Sequence, residues 1–283
     1  MKVGFIGTGS MGGLLIEAFI ESGVLKPEQI AAANRTFSKV ERLATYYPGL
    51  RAVSSNKEAL LHSDCLFLCI KPSDFKCVVD ELRPYARPEQ LIVSITSPVL
   101  ISHLEDWLPC KIAKVIPSIT NRIMSGASLC MYGSRIQPAD RNALEQLLSG
   151  ISEPIFIEER FTRVVSDLSS CGPAFIAFLL QRLIDAAVAE TGIEYDDAVS
   201  IASSMLLGTG RLLTEGGLTP KLVQQRVAVP GGITEQALKL LHSETDEIFN
   251  KLIRTTHAKF KEDLEKVQAS FYGEEVNGPT GAP

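Results

Sequence analysis

Gly7-Thr8-Gly9-Ser10-Met11-Gly12 limits what this chain can fold into more than any other feature. It lies between a short apolar run, Val3 to Ile6, and an amphipathic stretch that continues through Ile16, Ala18 and Phe19. In that setting a G-x-G-x-x-G is a strand, a turn and a helix start. Gly7 permits the tight turn, Gly9 lets a diphosphate approach the backbone, and Gly12 lets helix and strand pack closely. The leading N–H groups of the helix, at Ser10 and Met11, then point at the phosphates.

The remainder of the chain agrees with such a beginning. Runs at Ile30 to Ala33, Cys65 to Ile70, Leu91 to Ile95, Ile112 to Ile116, Ala127 to Met131 and Ile155 to Ile157 read as further strands, most of them separated by amphipathic segments. Near-continuous hydrophobicity in Cys65-Leu66-Phe67-Leu68-Cys69-Ile70 suits a central strand covered on both faces. Ser102-His103-Leu104-Glu105 matches an S-x-x-E capping box and predicts a helix after the Leu91 to Ile95 strand. Beyond about residue 160 only helical periodicity remains. The fold class is therefore α/β: a Rossmann-type parallel sheet domain over 1–158, then an all-helical dimerisation domain over 159–272. A tail over 273–283, rich in Gly, Pro and Glu, reads as disordered.

Within the helical part, Gly172-Pro173 opens a helix from Ala174 to Glu190 that is apolar around most of its circumference, which implies burial against another subunit. A second helix, about Tyr195 to Glu215, carries Gly208 and Gly210. Each costs about 1 kcal/mol of helix propensity unless close packing requires it. Thr219-Pro220 caps a third, Pro230-Gly231-Gly232 breaks it, and a last helix runs to Phe271.

Cofactor preference is read where a carboxylate usually accepts hydrogen bonds from an adenine ribose. Ala33-Asn34-Arg35-Thr36 holds that place, and a guanidinium flanked by amide and hydroxyl groups suits a 2′-phosphate that an acid would repel. NADPH is thus expected over NADH. Three strand ends, Ile70-Lys71-Pro72, Ser94-Ile95-Thr96-Ser97-Pro98 and Val115-Ile116-Pro117-Ser118, are expected to converge where a nicotinamide ring would lie.

Other function classes find little support. Twenty-eight Lys and Arg stand against 33 Asp and Glu, a net charge of −5, so no nucleic-acid footprint is expected. Uncharged stretches such as Leu168 to Gln181 and Ala198 to Gly210 reach about 14 residues, short of the roughly 20 that span a bilayer, and no membrane partner is expected. Met1-Lys2-Val3-Gly4-Phe5-Ile6 enters a strand directly, without a secretory pattern, which points to the cytoplasm. Cys65, Cys69, Cys77, Cys110, Cys130 and Cys171 stand singly, with no zinc spacing, and read as reduced buried thiols; no metal is expected. His62, His103, His242 and His257 are scattered and read as surface or helix-cap residues.

Taken in order, with Asn56 before the central strand, Leu168-Ser169-Ser170-Cys171-Gly172-Pro173-Ala174-Phe175, and Val227-Ala228-Val229-Pro230-Gly231-Gly232-Ile233-Thr234, these pieces resemble the pyrroline-5-carboxylate reductase family over about residues 1 to 270. The resemblance implies NADPH-dependent reduction of the cyclic imine 1-pyrroline-5-carboxylate to proline. It implies a cofactor contact at Asn56, catalytic roles for Thr234 and Ser169, and a substrate turn made by Val229, Gly231, Gly232, Ile233 and Thr234. Backbone N–H groups around Gly232, Ile233 and Thr234 would hold the substrate carboxylate, and the Thr234 hydroxyl would reach the ring nitrogen. It also implies a homodimer and, beyond it, a larger ring of dimers. The departures gather on the substrate side. Ala228 and Val229 replace hydroxyl residues, and losing a donor to a charged group costs about 1.5 to 3 kcal/mol. Ser170-Cys171 replaces Gly-Ser and Phe175 replaces Tyr.

Two alternatives follow. A β-hydroxyacid dehydrogenase shares the opening glycines but needs a Lys to protonate an oxyanion, and no Lys lies between Lys114 and Lys221. A non-catalytic, NADP-binding regulatory protein would keep the dinucleotide loop while its substrate turn drifted. Exchange of Arg35→Asp should weaken NADPH far more than NADH in fluorescence titrations. Equal loss for both cofactors would remove the 2′-phosphate contact.

Overall fold

The computed structural model describes residues 1–273; the rest of the segment read as a disordered tail lies outside the described residues. The strands are β1 (Val3–Ile6), β2 (Ile30–Ala33), β3 (Arg51–Ala52), β4 (Cys65–Leu68), β5 (Leu91–Ser94), β6 (Lys111–Ile116), β7 (Ala127–Tyr132) and β8 (Glu153–Phe156). They form one sheet in the order β3-β2-β1-β4-β5-β6-β7-β8. From β3 to β6 every pairing is parallel, as expected of a doubly wound sheet. The sheet is mostly parallel, as expected, and departs from that at β7, which runs antiparallel to β6, with β8 parallel to β7. Only a short turn around Ile119–Ile123 joins β6 to β7, and a link that short cannot make the crossover that parallel strands need. The two-residue strand β3, which no run of apolar residues announces, lies at the other edge.

Among the described residues twelve α-helices accompany the sheet: α1 (Ser10–Glu21), α2 (Phe37–Tyr46), α3 (Asn56–Leu61), α4 (Phe75–Leu82), α5 (Ile101–Glu105), α6 (Pro138–Ser149), α7 (Thr162–Leu168), α8 (Gly172–Thr191), α9 (Tyr195–Thr214), α10 (Pro220–Val227), α11 (Ile233–Thr245) and α12 (Ile248–Tyr272). The chain divides into two compact units, Met1–Cys171 together with the segment from Thr256, and Gly172–Thr255.

In the sheet unit, alternation of side chains feeds two cores. Val3, Phe5, Cys65, Phe67 and Val93 enter one, with Leu15, Ile16 and Phe19 of α1; Ile6, Leu66, Leu68, Ile92 and Ile112 enter the other. Phe5 stacks on Phe67 at 5.1 Å between centroids. Val267 and Phe271, near the end of α12, are buried in the second core.

Lys114, wholly buried on β6, forms an ion pair with Glu159 at 2.6 Å and donates to the Ser97 carbonyl at 3.1 Å. Burial drives its pKa down and the glutamate opposes that. A charge so placed is tolerable only when paired and hydrogen-bonded. Glu159 also accepts from the Ile101 N–H at 2.8 Å, while the Leu100 N–H donates to His103 Nδ1 at 3.2 Å. These bonds cap α5 in place of the expected Ser102-Glu105 box. The helix starts at Ile101, so Ser102 falls inside its first turn, and Glu105 instead accepts from the Ser134 hydroxyl at 2.9 Å.

The helical unit buries little of its own. Ile184, Ala198 and Ala202 form its core, where α8 meets α9. Ile176, Phe178, Leu179 and Leu183 of α8 and Ile201, Met205 and Leu207 of α9 remain exposed, Phe178 to 64%. Nothing lies within 4 Å of where a side chain on Gly208 or Gly210 would begin, so no close packing within this chain accounts for those glycines. An 18-residue window in the span Glu159–Thr191 has mean hydropathy 1.5 and is 6% buried, long and apolar enough to cross a bilayer by composition. Uncharged runs alone do not show it, because Arg182 and Asp185 interrupt the apolar stretch. Of the cysteines, Cys65, Cys110 and Cys130 are buried as expected, but Cys77 is exposed on α4.

His103 is 3% exposed and stacks on Phe271 at 5.4 Å. Burial, then the nearby Lys114 charge, lowers its pKa, against weaker opposition from Glu159 and Asp106. The unfolded chain takes up this proton near the ordinary 6.5 and the folded chain only at lower pH, so stability falls as pH drops below about 6.5. Thermal unfolding midpoints should decline between about pH 7 and pH 5, where most carboxylates do not yet titrate. His103→Gln, which keeps an acceptor for Leu100, should flatten that part of the profile.

Candidate active site

Gly7 leaves β1 with φ +95°, a region open to glycine, and a side chain there would begin 2.3 Å from the Cys69 carbonyl oxygen. A side chain on Gly12 would begin 2.0 Å from the Gly7 carbonyl oxygen and 3.0 Å from Cys69 Cβ, so α1 is pressed against both the loop and the end of β4. Gly9, by contrast, faces open space, with nothing within 4 Å of its missing side chain. It caps α1 without a side-chain hydrogen bond, which leaves the leading N–H groups of the helix available.

Asn34 holds this loop rather than facing outward. Its Oδ1 accepts from the Thr8 N–H at 3.1 Å and its Nδ2 donates to the Thr36 carbonyl at 3.0 Å. The Gly7 N–H donates to the Ala33 carbonyl at 2.8 Å. Arg35 is exposed after β2, and Thr36 precedes α2. A cavity of about 500 Å³ is lined by Thr8, Gly9, Ser10, Glu17 and three cations, Lys39 and Arg42 of α2 and Arg122, whereas Asn34, Arg35 and Thr36 are not among its lining residues. The buried Thr8 hydroxyl has no hydrogen-bond partner among the described residues. An open glycine, an orphaned hydroxyl and a cationic rim fit a phosphorylated dinucleotide. Sequence reading missed Lys39 and Arg42, although their position one and two helical turns past Arg35 was a usable signal. Arg122 is held by Glu17 and Glu21 of α1, and it keeps the Glu21 carboxyl below its usual range.

A second cavity, of about 510 Å³, lies at the carboxyl edge of the sheet. It gathers Gly9, Ser10 and Met11 from the loop, Ile70 and Lys71 after β4, Thr96 and Ser97 after β5, and Pro117 after β6, with Arg163, Ser166 and Ser170 from α7 and the residues beyond it. The three strand ends therefore converge as their sequence positions suggest. Thr96 Oγ1 ties two of them by donating to the Ile70 carbonyl at 3.0 Å. The Ser97 hydroxyl, Arg163 Nε and the Ser169 hydroxyl are buried without partners among the described residues. Asn56, Pro72 and Ser118 do not line the cavity. Asn56 opens α3 and donates to Glu81 at 2.6 Å, Pro72 starts a 3-10 turn, and Ser118 caps Ile119–Ile123.

The turn before α11 belongs to the helical unit. Gly231 has φ +72°, and its N–H donates to the Glu235 carboxylate at 2.7 Å, which holds that carboxyl below its usual range. The Gly232 N–H closes the turn on the Val229 carbonyl at 2.9 Å. Ile233, 91% exposed, and Thr234 begin α11, whose leading N–H groups receive no side-chain cap. The donors left open at this turn are thus those of the helix start rather than that of Gly232.

Residues 159–263 match the family described as pyrroline-5-carboxylate reductase dimerisation, and residues 2–98 match that described as NADP oxidoreductase, coenzyme F420-dependent. The chain is 40% identical to ComE operon protein 4 of Bacillus subtilis, covering 96% of this chain and 100% of that one. It is 30% identical to pyrroline-5-carboxylate reductase of Methanosarcina acetivorans, covering 85% and 89%. Among solved structures, a pyrroline-5-carboxylate reductase from Coxiella burnetii superposes with a TM-score of 0.83 at 26% identity, covering 93% of this chain and 98% of that one. A pyrroline carboxylate reductase of Plasmodium falciparum, solved with NADP bound, shares the fold with a TM-score of 0.79 at 22% identity, covering 97% and 98%. The cofactor that the glycine loop accommodates is NADP(H), and the chain belongs to the pyrroline-5-carboxylate reductase family.

Proposed function

We propose that the chain is a cytoplasmic, homodimeric reductase that converts 1-pyrroline-5-carboxylate, or a closely related cyclic imine, to L-proline or its analogue. Residues 1–158 carry the cofactor and residues 159–272 serve dimerisation and the substrate. The observation that carries this reading is the cavity at the carboxyl edge, where three strand ends meet the glycine loop and, among the described lining residues, no histidine or carboxylate is present. A ketone needs a proton donor as its oxygen becomes an alkoxide. A protonated imine carries its proton on nitrogen already, so hydride addition at the C=N carbon leaves a neutral secondary amine and no further acid is needed.

When bound, NADPH supplies the hydride. The protein's task is alignment and exclusion of water. Met11, Ile70, Ile95 and Ile116 offer an apolar wall for a flat ring, and Thr96 fixes the separation of two strand ends. Gly9, Ser10 and Thr8 receive the diphosphate, and Lys39 and Arg42, which line the same cavity, receive the ribose phosphate together with the exposed Arg35. Lys114 is not a proton donor to this cavity, because Glu159 and the Ser97 carbonyl hold its ammonium group. We assign the substrate carboxylate to the N–H groups of Ile233 and Thr234, the ring nitrogen to the Thr234 hydroxyl, and a supporting role to the orphaned Ser169 hydroxyl. The exposed apolar residues of α8 and α9 form the dimer surface, which a second copy buries.

A second reading rests on the likeness to ComE operon protein 4 over its full length and on Ala228 and Val229, which remove two hydroxyls from the substrate turn. In that reading the protein binds NADPH and does not turn over. Purified protein mixed with NADPH and 1-pyrroline-5-carboxylate should consume NADPH absorbance at about 1 to 1,000 turnovers per second. Tight NADPH binding with no turnover of this or any related cyclic imine would establish the regulatory reading instead.

A further inference from the structure

The cavity at the sheet edge has an unusual charge balance. Among the described residues that line it, the charged ones are Lys71 and Arg163, and no carboxylate is present. Lys71 is exposed, whereas the Arg163 side chain is only 16% exposed. Asp167, one helical turn later, fixes the guanidinium: Arg163 Nη2 donates to Asp167 Oδ1 at 2.8 Å and lies 3.2 Å from Cys171 Sγ. Asp167, 1% exposed, is fixed in turn by the Thr256 hydroxyl, which donates to its Oδ2 at 2.7 Å. Arg163 Nε is left buried and without a partner among the described residues. The guanidinium is therefore held rigidly, with a donor still to be satisfied, in a cavity whose nearest acid is already paired with it.

We propose that Arg163 makes this cavity selective for a carboxylate, and that its guanidinium binds the carboxylate of the imine substrate. The inference rests on the reductase reading for the identity of that substrate. In 1-pyrroline-5-carboxylate the carboxylate sits on the other carbon bonded to the ring nitrogen, so it cannot leave the cavity that holds the reacting carbon. The Arg163–Asp167 pair is neutral and Lys71 adds one positive charge, which an anionic ligand balances. A carboxylate has about four acceptor sites, so Arg163 can share it with backbone donors.

The test uses the full chain loaded with NADP+ and titrated calorimetrically with L-proline and with prolinamide, which replaces the carboxylate by a neutral amide. NADPH dissociation constants are measured in parallel by fluorescence. Two variants are compared: Arg163→Lys, which keeps a cation opposite Asp167, and the pair Arg163→Met with Asp167→Asn, which leaves no unpaired buried charge. Should the double variant not fold, the Lys variant decides. Wild-type protein should prefer proline to prolinamide at least tenfold. Each variant should bind proline about 10- to 100-fold more weakly, with the preference gone and NADPH affinity changed less than about twofold. Equal binding of the two ligands by the wild type, binding of neither, or a preference that survives in the variants overturns the proposal. So does a parallel loss of NADPH affinity, which would assign Arg163 to the cofactor. Carboxylate selectivity without imine turnover removes the reductase reading and leaves Arg163 in its role; turnover without selectivity does the reverse.

Discussion

Everything at the cofactor end of this protein follows from how closely α1 can approach the ends of β1 and β4. The Cβ position of Gly12 falls 2.0 Å from the Gly7 carbonyl oxygen and that of Gly7 falls 2.3 Å from the Cys69 carbonyl oxygen, distances that no side chain tolerates. The approach sets the helix start over the sheet edge, with its unpaired N–H groups beside the open face of Gly9. Asn34 extends the constraint to β2, because its side chain bridges the Thr8 N–H and the Thr36 carbonyl. The loop, the cavity-lining cations of α2 and the three strand ends are thus parts of one construction, not separate sites.

A second constraint is electrostatic. Lys114 is buried in a strand where an apolar residue would fit the pattern, and its charge is tolerated because Glu159 and the Ser97 carbonyl meet it. Breaking such a pair generally costs about 3 to 5 kcal/mol, since the remaining charge stays buried. Here the pair also positions: Glu159 caps α5, and the Ser97 backbone it helps to fix borders the cavity at the sheet edge. Arg163 and Asp167 repeat the device on α7, with one guanidinium N–H left over.

Much of the sheet could be read directly because buried strands of a parallel sheet are short, apolar and regularly spaced. Leu66, Phe67 and Leu68 are each under 2% exposed, as a strand covered on both faces requires. What escaped notice was weak in local signal. Strand β3 has only two residues and no apolar face, and β7 has the composition of its parallel neighbours although it runs the other way. In the candidate site, Ile70, Lys71, Thr96 and Pro117 were legible from their place after strands, whereas Arg163 was not. Its helix looks like any amphipathic connector until the fold turns one of its sides toward the strand ends.

The sequence by itself determined the dinucleotide loop, most of the strands, the helical second part and the absence of an obvious acid for ketone reduction, because each depends on short-range spacing or on residue type. Only the tertiary structure decided which polar groups are already spent and which remain open. Asn34 is occupied in holding the loop, the Gly232 N–H in closing its turn and Ser102 in the interior of α5, while Thr8, Ser97 and Arg163 keep an unmet bond in the interior. That distinction depends on partners distant in the chain, as Thr256 is from Asp167 and Glu159 from Lys114, and no local pattern encodes it.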